Sequence, residues 1–498
     1  MSLPLRRFTQ FSETLCQGEP LGPGTLRQLN QPDTFKAVLT RRSLLKLGSM
    51  AAASAAIPNQ ARSLSASVNQ SDIKPDNKPD YKIDIAPITF DISPKHSIKT
   101  IAYNQQVPGP LLRFQEGQPV AIDVTNRTQN EEIVHWHGLF LSPDVDGAME
   151  EGTPMIPAGG TARYTFVPNP AGFRWYHTHT FAGTDLKKGQ YTGQHGFLMI
   201  EPHDNPARYD QEFFLALHDW DGEMADSGDG SMNPEYKFST VNGRVLGYGE
   251  PLRVRQGQRV LLHLLNSSPT EQHWIAFSGH QFRVIALDGN PVPNPQLVPM
   301  IRLAPAERVC AIVEMTNPGI WILGEVRKHI QAAGMGIVVE YAGHSGKPTW
   351  QQPDSLIWSY GKFAATIPPS AQSGNPIDIP LVFQSKFAGH GAPDHWTING
   401  KSYPDTESIP LISGQRYRLQ FKNVSSDDHP VHLHRHSFEL RSLPGNPGIR
   451  GIVKDVVLVE ARTQIDVEFT ASNPGSTLFH CHQQNHMDEG FMMLFHYA

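Results

Sequence analysis

The sequence predicts an all-β fold built from three similar domains, and two observations carry this prediction. Short β-branched runs bounded by turn residues recur along the chain, as in VAIDV, RVLLHLL and VVLVEA. One longer pattern also occurs three times, with a Pro-Leu start, a Gly-Gln turn, an alternating strand and an Asn-containing loop. The three copies lie at residues 110–128, 251–268 and 410–426.

A constant spacing relates copy two to copy three. Five features of copy two reappear 156 residues later: His273 as His429, His280 as His436, Pro318-Gly319 as Pro474-Gly475, Gly334 as Gly490, and Tyr341 as Tyr497. Copy one joins the set because residues 172–177 match residues 475–480 in spacing. The repeats therefore predict three domains of roughly 120 to 150 residues each, within the usual size of a domain.

Composition shifts set the predicted boundaries at 80–205, 206–345 and 378–498, with a linker or surface excursion rich in Pro, Ser and Gly at 346–377. Residues 1–66 are predicted to be a leader. Arg41 and Arg42, followed by a weakly apolar run of small residues, resemble a bacterial twin-arginine export signal. The leader predicts the twin-arginine machinery as a partner, cleavage between Ala56 and Ala66, and a periplasmic or secreted protein. A short amphipathic helix or an uncleaved anchor is the alternative.

Composition also narrows the function classes. A net charge of −6, with 18% charged residues, gives no electrostatic support for nucleic-acid binding. No run approaches the roughly 20 apolar residues of a membrane-spanning helix. Of three cysteines, Cys16 lies in the leader and Cys310 sits in an alternating strand pattern as a small apolar residue. A disulfide framework is therefore excluded, and Cys481 needs another explanation.

Four His-x-His pairs provide eight imidazoles, at residues 135 and 137, 177 and 179, 432 and 434, and 480 and 482. Side chains two residues apart on a strand point to the same side. Two pairs belong to copy one and two to copy three, so these domains are predicted to face each other around a cluster of metals. Copy two has Ala276, Ser278 and the segment 324–326 at the matching places, which predicts a spacer without metal ligands.

Cys481 stands between His480 and His482, so strand alternation turns it the other way, into the core of the third domain. There it is expected to meet His429 and His486. One Cys with two His is the trigonal ligand set of a blue copper site. Zinc binds the same residue types, but ten histidines with one cysteine do not resemble a structural zinc site.

The segments HWHG at 135, WYHTH at 175, HPVHLH at 429 and HCHQQNH at 480 resemble, in order, the four copper motifs of the multicopper oxidases. The three-domain, laccase-like bacterial members are the most similar. The resemblance covers the chain from about residue 80 to 498. It implies three tandem cupredoxin-like Greek-key β-barrel or sandwich domains, and four copper ions: one type 1, one type 2 and a type 3 pair.

Carried over residue by residue, the resemblance assigns His429, Cys481 and His486 to the type 1 copper, and His135 and His432 to the type 2 copper. The type 3 pair would take His137, His177, His179, His434, His480 and His482. The implied reaction moves single electrons from a small reducing substrate to the type 1 copper. Cys481, His480 and His482 would then pass four electrons to the cluster, which reduces O2 to water.

Several positions depart from the family pattern. Arg435 replaces the glycine of the third motif and is predicted to be a surface residue. The axial position of the type 1 copper falls on Phe491, which cannot coordinate and implies a high potential, whereas a shift of one residue would place Met492 there.

Asp146 matches an acidic residue near the type 2 copper and is a candidate proton relay, or alternatively a turn-forming Asp-Gly residue. Met487 stands where some bacterial members have a relay glutamate.

The substrate is less well defined by the sequence. Phenols or aromatic amines are the leading expectation, because the ligand set is complete and the 13 methionines are scattered rather than gathered in an insert. An oxidase of cuprous or ferrous ions is the alternative, and the acidic segment at 219–236 suits either reading. A non-enzymatic periplasmic scaffold is a third hypothesis, which the complete ligand set disfavours.

Overall fold

The computed structural model describes residues 78–203, 208–228, 230–366 and 375–497. The predicted leader, with Arg41, Arg42 and Cys16, lies outside the described residues. Strands dominate the described residues, and the predicted all-β class is confirmed. In the part of the chain that the structure describes, no helix is long and apolar enough to cross a membrane.

Copy one folds into a sandwich of two four-stranded sheets, which we call the first sandwich. Its elements are β1 (Tyr81–Ser93), β2 (His96–Tyr103), β3 (Gly109–Gln115), β4 (Val120–Asn126), β5 (Val134–His135), α1 (Pro143–Asp146), β6 (Thr161–Phe166), β7 (Gly172–Thr178) and β8 (His195–Glu201), with 3-10 turns at Met149–Glu151 and Gly189–Tyr191. The sheet orders are β2-β1-β4-β6 and β3-β8-β7-β5. Alternate residues of β4 are buried, as the sequence pattern predicts for a strand with one face on the core.

Copy two forms the second sandwich. Its elements are β9 (Gln211–Asp226), β10 (Met232–Val241), β11 (Leu252–Val254), β12 (Arg259–Asn266), β13 (His273–Phe277), β14 (Phe282–Leu287), β15 (Asn290–Val298), β16 (Met300–Leu303), β17 (Arg308–Glu314), β18 (Ile320–Glu325), α2 (Lys328–Ala332) and β19 (Gly336–Tyr341). The sheet orders are β10-β9-β12-β17-β14-β15 and β11-β19-β18-β13-β16. The strands β9 and β10 form a long antiparallel hairpin that extends the first of these sheets.

Copy three forms the third sandwich. Its elements are β20 (Ile377–Lys386), β21 (His395–Ile398), β22 (Ile409–Leu411), β23 (Arg416–Asn423), β24 (His429–Leu433), β25 (Phe438–Leu443), β26 (Asn446–Pro447), β27 (Val453–Lys454), β28 (Val456–Val459), β29 (Gln464–Thr470), β30 (Thr477–Cys481), α3 (Gln484–Asp488) and β31 (Met492–Tyr497). The path of one sheet is β21-β20-β23-β29-β25-β26, with β27 also paired to β25, and that of the other is β22-β31-β30-β24-β28.

The predicted linker or excursion includes a 3-10 turn at Tyr360–Phe363. The side chains of Tyr360 and Phe363 are buried in the apolar core that the second and third sandwiches share. The turn at Tyr360–Phe363 therefore packs against both sandwiches.

In the first and third sandwiches, two neighbouring strands of the second sheet carry the histidine motifs. In the third sandwich, β24 pairs with β30 so that His432 lies opposite His480 and Val431 opposite Cys481. In the first, β5 pairs with β7 so that His135 lies opposite His177. The paired strands bring the His-x-His motifs together two by two, as the repeat predicts.

Candidate metal centres

The first group of possible metal ligands is buried inside the third sandwich. His429 begins β24, Cys481 ends β30 and His486 lies in α3. The Cys481 Sγ atom is 3.7 Å from Nδ1 of His429 and 3.6 Å from Nδ1 of His486, and the two nitrogens are 3.1 Å apart. The three donor atoms form a compact triangle, as a trigonal copper site requires.

Burial sets the protonation of this trio. It lowers the pKa of His429 to about 3 and lowers the pKa of His486 well below its usual value, so both imidazoles are neutral and can donate a lone pair to a metal. The pKa of the Cys481 thiol is raised by burial. A metal ion would reverse this, because a coordinating thiol is deprotonated. The Ser425 hydroxyl, 2.9 Å from Nε2 of His429, orients that ring.

The aromatic side chain of Phe491 borders the trio. Its ring stacks on His429, with centroids 4.8 Å apart and an interplanar angle of 24°. Met492 lies opposite His480 in the β30–β31 ladder, and its side chain packs in a separate apolar cluster with Ala148, Leu478 and Met487. Of the two residues considered for the axial position, Phe491 therefore contacts the trio.

The eight histidines of the four His-x-His pairs meet between the first and third sandwiches. Their ligand atoms approach one another within 4.8 Å in three groups: His135 with His137 and His432, His137 with His177 and His482, and His179 with His434 and His480. Every group draws on both sandwiches, so neither sandwich holds a complete group alone.

Backbone carbonyls hold four of these rings by Nδ1. The pairs are His135 with Asp146 at 2.8 Å, His177 with Thr178 at 2.7 Å, His432 with Asp455 at 2.7 Å, and His480 with Cys481 at 2.8 Å. This tautomer leaves each Nε2 as an acceptor. Among the described residues, the buried Nε2 atoms of His135, His177 and His432 have no hydrogen-bond partner. Unpaired buried nitrogens are costly, and imidazole is a good copper ligand, so the donor set fits copper.

Burial also keeps seven of the eight cluster histidines neutral. Burial lowers the pKa of His179 to about 3, with a smaller effect from neighbouring imidazoles. Burial lowers the pKa of the following rings well below 6.5: His137, His177, His432, His434, His480 and His482. Neutral rings so close together do not repel one another, and they remain free to bind cations.

Two buried carboxylates lie against the cluster from the first sandwich. Oδ2 of Asp146 is 3.0 Å from Nδ1 of His434 and 3.2 Å from Nδ1 of His135. Glu151 was not found from the sequence, which gives it no motif. Its Oε1 accepts a hydrogen bond from the Leu478 backbone at 2.6 Å and lies 3.5 Å from Nδ1 of His434. Burial and the nearby Asp146 charge raise the pKa of Glu151.

Asp455 is a third carboxylate that the sequence reading missed. Its Oδ1 is 3.1 Å from Nε2 of His137, and its backbone carbonyl accepts the hydrogen bond from Nδ1 of His432. The residue lies between β27 and β28 in the segment KDVV, where no ligand-like spacing points to it. Its role is visible only once the strands are assembled.

The prediction that Arg435 is a surface residue is wrong. The side chain is 1% exposed. Its guanidinium donates to the carbonyls of Leu141, Asn473, Pro474 and Ser476, and to the Thr477 hydroxyl. The backbone is left-handed, with φ of 59°, like the motif glycine Gly138 with φ of 85°. Backbone carbonyls therefore surround the buried guanidinium and accept its hydrogen bonds.

In the second sandwich, the positions equivalent to His429 and Cys481 are occupied by residues that form buried ion pairs. His273 corresponds to His429, and Glu325 corresponds to Cys481. Nε2 of His273 is 2.9 Å from Oδ2 of Asp219, and Nδ1 is 3.3 Å from Oε2 of Glu325. Both ring nitrogens are engaged with carboxylates, which leaves neither available to a metal.

Comparisons with known proteins agree with this geometry. Sequence models of the family described as multicopper oxidase match residues 82–205, 212–338 and 376–498. The multicopper oxidase MmcO of Mycobacterium tuberculosis is 30% identical over 435 residues, which covers 79% of this chain and 82% of that protein. Laccase-4 of Thanatephorus cucumeris is 27% identical, with 81% of this chain and 86% of that protein covered.

Among solved structures, that of Fet3p, described as a multicopper oxidase that functions in iron import, matches with a TM-score of 0.73 and 20% identity. The match covers 84% of this chain and 90% of the Fet3p chain, and at this identity it supports the fold alone. The family models together span most of the chain. The chain belongs to the multicopper oxidases, a family of copper-dependent oxidoreductases.

Proposed function

We propose that the protein is a laccase-like oxidase that holds four copper ions. The type 1 ligands are His429, Cys481 and His486, and the type 2 ligands are His135 and His432. One type 3 ion takes His137, His177 and His482, and the other takes His179, His434 and His480. The three domains at 80–205, 206–345 and 378–498 form part of the same proposal.

The observation that carries the proposal is the position of Cys481. Its side chain belongs to the buried trio, while its covalent neighbours His480 and His482 belong to the two groups proposed for the type 3 ions. When bound, the copper ions supply one-electron oxidation of the substrate and the reduction of O2 by four electrons and four protons to two water molecules. The peptide links from Cys481 to its neighbours provide a short covalent route between the two chemistries.

Proton delivery is assigned to Asp146. Its Oδ1 has no hydrogen-bond partner among the described residues, while Oδ2 contacts His434. A carboxyl group within hydrogen-bond distance of the cluster histidines is placed as a general acid or base would be. We expect Asp146→Asn to slow O2 reduction by about 100-fold or more while the protein keeps its copper. An unchanged rate would mean that Asp146 only shapes the turn before Gly147.

Phenols or aromatic amines are the proposed substrates. The ligand set is complete, methionines are few and scattered, and laccase-4 of Thanatephorus cucumeris aligns along most of the chain. A high-potential type 1 copper beside Phe491 would suit the oxidation of phenols.

A metal-ion oxidase is the second candidate, and one observation favours it. The β9–β10 hairpin, which carries Asp221, Glu223 and Asp226, reaches the helix of His486. There Nδ2 of Asn485 donates to Oδ1 of Asn233 at 3.2 Å. Carboxylates on this hairpin would suit cations, which prefer oxygen ligands. Those of Asp221 and Glu223 now lie 3.6 and 3.3 Å from Nζ of Lys237.

One set of measurements tests the proposal and separates its alternatives. Copper-loaded protein should contain four copper ions per chain, absorb strongly in the visible range and consume O2. A colourless, inert protein would support the non-enzymatic scaffold. Comparing turnover with a phenol, ferrous ion and cuprous ion then identifies the substrate class. Asp221→Asn/Glu223→Gln should lower metal-ion turnover alone if the hairpin binds cations.

Export through the twin-arginine machinery, to the periplasm or beyond the cell, is also proposed. The order of residues after Arg41 and Arg42 supports it. Fusing residues 1–66 to a reporter that is active only after export tests the leader. Replacing both arginines by lysine should retain the reporter in the cytoplasm, and continued export of that variant would contradict the proposal.

A further inference from the structure

A buried ion cluster joins all three sandwiches beside the copper ligands. We call it the interdomain ion cluster; its members are Arg174, Asp288, Glu307, Arg308, Lys454 and Asp455. Each is at most 2% exposed. Three positive and three negative groups balance the charge, so the cluster can be stable without solvent.

Arg308 of the second sandwich forms an ion pair with Asp455 of the third. Its Nη1 donates to Oδ1 at 2.5 Å and its Nη2 to Oδ2 at 2.6 Å, a bidentate pair. Arg174 of the first sandwich donates to Oδ2 at 3.3 Å. Planar two-point contacts of this kind fix orientation as well as distance.

The backbone around Asp455 is held from the same side. Oδ2 of Asp288 accepts hydrogen bonds from the amides of Asp455, at 3.3 Å, and Val456, at 3.2 Å. It also lies 2.9 Å from Nζ of Lys454. The second sandwich therefore fixes both the side chain and the main chain of Asp455.

The space for this contact depends on Gly138, the residue after His137. A Cβ atom at Gly138 would lie 2.7 Å from Oδ2 of Asp455 and 2.9 Å from Nη2 of Arg308. Its φ of 85° also disfavours other residues. Gly138, in the first motif, thus leaves room for the interdomain ion cluster beside His137.

Asp455 touches two proposed ligands of the cluster. Its Oδ1 accepts from Nε2 of His137, and its carbonyl accepts from Nδ1 of His432. With Nε2 engaged, Nδ1 is the nitrogen that His137 can offer to copper. Nδ1 is buried and has no hydrogen-bond partner among the described residues.

We propose that Asp455, held by Arg308, is a positioning residue for the trinuclear copper centre. It makes His137 bind through Nδ1, in contrast to the rings that carbonyls hold by Nδ1. The second sandwich, which supplies no copper ligand, acts on the centre through this contact. The inference rests on the proposed copper assignment.

The test uses full-length, copper-loaded protein and the variants Asp455→Asn and Arg308→Lys. Asn keeps one oxygen only, and Lys keeps the charge but loses the two-point contact. Glu325→Gln is the matched control, because it disrupts a buried ion pair of the second sandwich that touches no proposed ligand. The readouts are cluster copper relative to type 1 absorbance, the type 2 electron paramagnetic resonance spectrum, and competition with a chelator.

We expect Asp455→Asn to weaken copper retention in the cluster about 10–100-fold, to change the type 2 spectrum and to leave type 1 absorbance per folded chain unchanged. Arg308→Lys should have a smaller effect in the same direction, and Glu325→Gln none. An unchanged cluster in Asp455→Asn would overturn the inference, as would a proportional loss of both centres like that of a general folding defect. If the wild-type protein itself holds no copper in the cluster, the proposed function is wrong, whatever the variants show.

Discussion

The second and third sandwiches use one framework for opposite purposes. In the third, burial alone acts on His429 and lowers its pKa to about 3, leaving a neutral ligand beside a thiol. In the second, burial would lower the pKa of His273 too, but the charges of Asp219 and Glu325 outweigh it and raise that pKa to about 9. The group placed opposite the histidine decides whether the site suits a metal or a salt bridge.

The largest effect is expected when Cys481 of the third sandwich is replaced by glutamate, the residue at the equivalent position 325 of the second. Cys481→Glu should abolish the visible absorption and reduce O2 uptake to background, because a carboxylate cannot replace the soft thiolate. The smaller Cys481→Ser serves as the control for size. Absorption spectra and an oxygen electrode measure the result, and a variant that stays blue would break the comparison.

The reverse experiment removes the charged ring of the second sandwich. His273→Gln leaves two buried carboxylates without their cation, so the free energy of unfolding should fall by about 3–5 kcal/mol. Copper content should not change. Urea unfolding with copper analysis measures both, and the exposed His344→Gln is the control. A loss of copper at equal folding would mean that the His273 ion pairs also act on the copper centres.

The same pair predicts a dependence on pH. The folded-state pKa of His273 is about 9, above the ordinary 6.5. Its contribution to stability is therefore fully present below pH 6.5 and is lost as the pH rises through about 9. The difference in unfolding free energy between wild type and His273→Gln should shrink over this interval. A constant difference would show that His273 is neutral in the folded protein.

Arg435 and Gly279 are equivalent turn residues, both left-handed. Arg435→Gly removes backbone strain but leaves several buried carbonyls without their donor, so we expect a net loss of about 2 kcal/mol. Thermal unfolding measures it, and Arg435→Lys should lose less. A stabilised Arg435→Gly protein would mean that the strain exceeds the value of the hydrogen bonds.

The smallest structural effect is expected at Phe491, whose counterpart in the second sandwich is Met335. Phe491→Met conserves volume and should cost less than about 1.5 kcal/mol. It introduces a weak sulfur ligand, so the potential of the type 1 copper should fall. A redox titration followed by the visible band tests this. Met492→Leu, on the other face, is the control and should leave the potential unchanged.

The fold class and the grouping of the candidate ligands could be predicted from the sequence. Repeated segments and strand alternation are both visible in the order of residues alone. His480 and Cys481 face opposite sides as alternation requires. Asp455 and Glu151 were missed because their partners are distant in sequence and their own neighbours form no motif. Arg435 was misjudged because charged turn residues are usually exposed, and only the assembled chain shows the carbonyls around it.

The ladder of β24 and β30 has a consequence for the order of assembly. Val431 pairs with Cys481 and His432 with His480, so a slip of one residue would exchange the two faces and turn the thiol away from His429 and His486. Neither centre can form on a misregistered strand. We therefore expect the visible absorption of copper-loaded protein to appear during refolding only after β24 and β30 have paired in this register.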